Sequence, residues 1–177
     1  MKPIQRFGVL WKVLAFWIVF LLLYFAYKYF PVFPLSLVCG ITESNFQHFK
    51  AGFFSYLIVN LIEYILLRKQ LQNREGFIYS RIASTVFLPW IIFLLWYLAP
   101  ALIGRWPNNT LEIIYANIIT IAVGFFTVIF ERGLEEARYS KSLKAVLLFL
   151  FCSSIFLYII FTFQLPWADV FVEPDWR

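Results

Sequence analysis

A carboxylate, an imidazole and an ammonium group fall close together in this chain, at Glu43, His48 and Lys50, and His48 is its only histidine. An imidazole titrates near neutrality and can move a proton or ligate a metal. A carboxylate a few residues away can orient it, and the ammonium can neutralise an anionic headgroup. His48 and Glu43 are therefore the candidate catalytic pair. Glu43, Ser44, His48 and Lys50 are the candidate binding residues of this segment, Thr42–Lys50. One histidine and one glutamate fall short of the three or four ligands that zinc takes, so no metal is assigned. Cys39 and Cys152 lack metal-type spacing. They belong to different depths of the chain, and no disulfide is expected.

The elements that must position these groups are apolar. Of 177 residues, 62% are hydrophobic and 14% charged, with a mean hydropathy of +0.78. Soluble domains are about 45–50% apolar and about 25% charged. A soluble core cannot absorb this much apolar surface, so lipid must be the solvent. A helix crosses a bilayer with about 20 apolar residues, and five stretches qualify, near 7–30, 46–67, 82–103, 111–130 and 143–163. The expected fold is an all-α membrane protein, one integral domain over 1–177 built as a bundle of five transmembrane helices. The short apolar piece Pro31–Gly40 carries two prolines and is expected as an interfacial or re-entrant segment. Pro89 is expected to kink the third span.

Charge sets the expected orientation. With simple alternation, eleven of the fifteen Lys and Arg residues fall on one side and four (Lys28, Lys50, Arg105, Arg177) on the other. By the positive-inside rule the N-terminus is cytoplasmic and the C-terminus external in a cell membrane. The segment around His48 and the tail 164–177 then share the outer face. Because the positive charges sit at the ends of apolar segments, nucleic acid is not an expected partner. The expected partners are the lipid bilayer, a lipophilic ligand and other membrane subunits, and nothing in the sequence names a cofactor.

Helical spacing adds two stripes. Ser44, His48, Gly52, Ser55, Val59 and Glu63 share one face of the second span, flanked by Asn60. Asn109, Ile113, Asn117, Thr120, Gly124 and Thr127 share one face of the fourth. Polar groups at membrane depth must find partners, so the two stripes are expected to meet, with Asn117 joining the binding residues. Ser44 and Gln47 have the form of a capping box. Glu112 is expected to be solvated, Glu63 to pair near Arg68, and Glu131–Tyr139 to form a charged, solvated cap carrying a Glu135–Arg138 pair. The aromatic tail from Trp167 to Glu173 is expected to fold over the outer mouth and bring Glu173 to His48 and Lys50.

Thr42–Lys50 resembles the Asn-Glu-Ser-x-Trp-Glu-His-Leu-Lys signature of a family of small, multi-pass prokaryotic membrane proteins of unknown function. Glu43, Ser44, His48 and Lys50 match it, and Thr42, Phe46, Gln47 and Phe49 depart. The tail resembles the family's Thr-Phe-x-Pro-Pro and Phe-x-Asp-Pro pattern at Thr162, Phe163, Pro166, Phe171 and Pro174, with Leu165 and Glu173 departing. The resemblance implies about five spans and no known activity. Gln47 removes a second carboxylate beside the histidine.

Serine-hydrolase, zincin, phosphate-loop and CxxC motifs are absent from the sequence. Three functions remain. The first is binding or transport of a lipophilic or amphiphilic small molecule through an outer-face site around His48. The second is an accessory subunit of a larger membrane complex. The third is a membrane-embedded enzyme with His48 and Glu43 as an acid–base pair.

Overall fold

The computed structural model describes residues 7–171 except Arg105 and Pro107. The described residues form helices: α1 Val9–Tyr29, α2 Phe33–Ser36, α3 Asn45–Leu67, α4 Arg74–Ile103, α5 Asn109–Leu134 and α6 Lys141–Phe163, then a 3-10 turn at Asp169–Phe171. The five long helices are each long and apolar enough to cross a membrane, and the chain is a multi-pass membrane protein. Pro31–Gly40 holds only α2, whose Phe33 is exposed and whose following Cys39 is buried. Asn73, Asn108 and Ser140 cap α4, α5 and α6 through side-chain oxygens that accept from backbone N–H groups. α4 begins earlier than its apolar run, because the Asn73 cap and a buried face from Gly76 to Ile92 recruit its first turns. It continues through Pro89 and Pro100 to Ile103.

Four helices form a ring. α1 and α4 each border both α3 and α5, while α6 packs outside on α4. This corrects the expected direct meeting of the second and fourth spans. α3 and α5 stand diagonally, and side chains reach between them across the ring, as from Tyr56 to Glu131. The glycines of the two stripes serve the ring edges instead. A Cβ on Gly52 would lie 3.2 Å from Ile92 of α4, and one on Gly124 3.1 Å from Phe16 of α1. The stripes do face inward: Ser44, Ser55, Asn60, Glu63, Thr120 and Thr127 are all buried. Phe16, Tyr56, Val59, Leu88, Ile92 and Val123 fill the ring's centre.

The capping box does not form. Ser44 is the N-cap of α3 but makes no side-chain capping bond, and Gln47 Oε1 accepts from the Ile41 N–H at 3.5 Å. The 36–41 turn lies close enough to take that acceptor away from the helix end.

Candidate functional site

α1 presents Lys12, Phe16, Phe20 and Tyr24 at successive four-residue steps, each about 6 Å of helix rise. Lys12, Phe16 and Phe20 are buried in the bundle. This stripe spans two polar places, with a cavity at the Tyr24 end and an ion-pair cluster at the Lys12 end.

The cavity encloses about 380 Å³, within the range of small-molecule pockets. Phe20, Phe49, Ile92 and Ile119 form its apolar part, and Glu43, Asn45, His48, Glu112, Asn117 and Thr120 supply polar groups. His48 sits between two rings, with centroids 4.9 Å from Tyr24 and 6.3 Å from Trp96. Its Nδ1 lies 2.9 Å from the Ser44 carbonyl oxygen. A carbonyl only accepts, so Nδ1 carries a proton, and in the neutral ring Nε2 holds the lone pair. The α3 backbone thus fixes the tautomer. Asn117 is held by the Trp17 Nε1–H, which donates to its Oδ1 at 2.9 Å, and it donates to the Ile113 carbonyl at 2.8 Å. Asn45 donates to the Tyr97 hydroxyl at 3.1 Å.

The structure therefore brings Glu43, His48 and Asn117 to one cavity. Glu112, expected in solvent, is buried and lines the same wall. Ser44 contributes its carbonyl, and its buried hydroxyl accepts from Thr42 at 3.2 Å. Lys50 points elsewhere. It is fully buried, and its Nζ donates to the Ser36 carbonyl at 2.9 Å and to Thr162 Oγ1 at 2.8 Å. Glu173 lies outside the described residues. The tail returns to the start of α3 through Phe171, 4.7 Å from Phe46 and 5.4 Å from Phe161. Trp167 stands 97% exposed, and among the described residues no tail residue lines the cavity.

The cluster at the other end was hidden in the sequence. Lys12 of α1 bonds Glu63 of α3 at 2.5 Å and also Glu131 of α5. Arg81 of α4 approaches Glu63 at 3.4 Å, Glu131 at 3.7 Å and Glu135 at 3.0 Å. Tyr56 and Ser84 donate to Glu131 at 2.7 and 3.3 Å, and the Arg81 guanidinium lies 3.8 Å from the centre of the Phe77 ring. The charged groups are 0–5% exposed. Three expectations are corrected here. Glu63 pairs with Lys12 and Arg81 and not with Arg68. Glu131 and Glu135 are buried instead of forming a solvated cap. Lys12 and Arg81, counted among the eleven charges of the inner face, are cluster members buried in the bundle. A charge this deep is costly unless paired and hydrogen-bonded, and here every charge has an opposite neighbour.

Comparison with known proteins adds no relative: no family model, curated protein or solved structure matches this chain. Among the described residues no group of His, Cys, Asp and Glu could hold a metal ion.

Proposed function

We propose that this protein binds a lipophilic or amphiphilic small molecule in the cavity beside His48, entering from the outer face of the cell membrane. The observation that carries this reading is the cavity itself. A bundle that serves only as a packing partner has no use for an open volume whose lining combines apolar side chains with two carboxylates and an imidazole. That mixture suits a molecule with an apolar body and a polar end.

The orientation belongs to the same proposal. With Lys12, Arg81 and Lys50 buried in the bundle, nine Lys and Arg residues against three still favour a cytoplasmic N-terminus. Kinship with the small multi-pass family whose signature Thr42–Lys50 resembles belongs to the same proposal.

The test is ligand capture. Native mass spectrometry of the protein taken from its own membrane should show a retained small molecule, and a fluorescent amphiphile should bind with saturation. His48→Ala should weaken that binding while leaving the helical bundle folded. A wild-type protein that retains nothing and shows only non-saturable partitioning sinks the proposal.

A second reading, a membrane-embedded enzyme, gains support from the tautomer of His48. The Ser44 carbonyl holds Nδ1–H as an orienting group does for a general base, which leaves Nε2 as the proton acceptor. Turnover of the captured molecule, lost in His48→Ala, separates catalysis from binding.

A further inference from the structure

The first turns of α3 hold a second set of polar groups, on the side away from the cavity. Lys50 is 0% exposed, yet among the described residues no carboxylate pairs with it. Lysine is almost never buried without a partner. Its two bonds go to neutral acceptors. The Ser36 carbonyl is one, and Thr162 Oγ1 is the other, because Thr162 spends its own hydrogen on the Tyr158 carbonyl at 2.7 Å. An ammonium has three donors, so one is left over.

Gln47, three residues earlier on the same helix, repeats the pattern. It is 1% exposed, its Oε1 accepts from Ile41, and its Nε2 finds no acceptor among the described residues. Gln47 and Lys50 thus both reach the 36–41 turn. The N-terminus of α3 adds the positive end of its helix dipole, with no side-chain cap to absorb it. Among the described residues a buried cation with a donor to spare and an orphaned amide both lack an acceptor, beside a helix start with no side-chain cap.

We propose that Lys50, Gln47 and the start of α3 form an oxyanion site, separate from the His48 cavity, that takes a phosphate oxygen. Neither Lys50 nor Gln47 lines that cavity. Phe33 and Phe163, both exposed, stack 5.9 Å apart. They sit beside the α2 and α6 residues that Lys50 joins. Parting this pair admits the phosphate to the ammonium. Thr162 and Ser36 keep their bonds, and the third donor of Lys50 and the Gln47 amide turn to the newcomer.

The phosphate can come from a lipid headgroup or from solution. The purified protein is freed of lipid in a neutral detergent and its thermal unfolding midpoint followed in two arms, one with added phosphatidylglycerol and one with inorganic phosphate. Matched phosphatidylcholine and gluconate serve as controls. The wild type should gain stability in at least one arm beyond its control. A gain with lipid alone assigns a headgroup, and a gain with both assigns the free ion as well. Lys50→Met should lower the affinity for the active species by at least about tenfold, the effect of losing one charge-assisted hydrogen bond, and Gln47→Leu should lower it less. A wild type indifferent to both arms overturns the site without recourse to any variant. So does a Lys50→Met or Gln47→Leu pair that keeps the full response. If the wild type gives no response and Glu173→Gln gains one, the chain's own carboxylate is the counter-charge and the proposal fails.

Discussion

Lys12 in α1 and Glu131 in α5 are bonded to one another inside the bundle although 119 residues separate them in the chain. With Glu63 and Arg81 they supply one charged residue from each helix of the ring. Phe16, one turn above Lys12, meets Tyr56 edge-on at 5.5 Å and divides this cluster from the cavity.

Removing one member leaves its partners charged and buried. Lys12→Met is expected to destabilise the protein by about 3–5 kcal/mol, measured by unfolding in detergent. The double variant Lys12→Met with Glu131→Gln should recover part of that loss, since it removes a charge of each sign. A Lys12→Met protein as stable as the wild type would contradict the buried network.

Filling the cavity tests its use without touching its charges. Ala116 lines the wall between Ile113 and Thr120. Ala116→Trp should abolish saturable binding of a fluorescent amphiphile while the unfolding midpoint stays near that of the wild type. Unchanged binding in this variant places the ligand elsewhere.

Two glycines should respond in opposite ways to the same change. A Cβ on Gly76 would overlap the Glu135 carbonyl oxygen and the Asn73 side chain, whereas Gly133 has nothing within 4 Å. Gly76→Ala is expected to cost about 1–3 kcal/mol, the usual range for overpacking, because the Asn73 cap and its 3.1 Å bond to Glu135 are both displaced. Gly133→Ala, inside α5, should be neutral or add up to about 1 kcal/mol. A comparable gain in both would show that helix propensity, not the close approach, governs Gly76.

The two cysteines are both free, Cys39 buried and Cys152 exposed on α6. Burial pushes the Cys39 thiol above its ordinary pKa, and the neighbouring Lys50 only partly offsets this. Thiolate is the reactive form, so at neutral pH a membrane-permeant maleimide should spare Cys39 in the folded protein. Cys39 should react only on unfolding or as pH rises well above the ordinary thiol range. Equal labelling of Cys39 in the folded and the unfolded protein at neutral pH would contradict its burial.

The five spans were legible because apolar length alone signals them, and lipid imposes that signal on every crossing. The convergence of His48 and Asn117 was legible because helical period puts each on an inward stripe. Lys12 was not. A lysine near the start of an apolar run looks the same whether its amine reaches water or a carboxylate 51 residues away. Glu131 and Glu135 misled for a similar reason: ERGLEEARY reads as a solvated helix end, and only the position of Arg81 across the α4–α5 junction turns both carboxylates inward. The capping box failed on a tertiary competitor, since the Ile41 N–H claims the Gln47 oxygen. The ring order was also beyond reach, because a polar stripe tells which face is inside but not which helix stands opposite.

Signs alternate helix by helix through the ionic network in order of synthesis: Lys12 in α1, Glu63 in α3, Arg81 in α4, then Glu131 and Glu135 in α5. α1 therefore enters the membrane carrying a charge that nothing yet answers. α3 cancels it, α4 brings a new unanswered cation, and α5 cancels that one. A nascent chain that stops after α1 or after α4 holds an unmatched positive charge within the bilayer, which is costly there. The same five residues that close one end of the finished bundle thus keep count of its assembly.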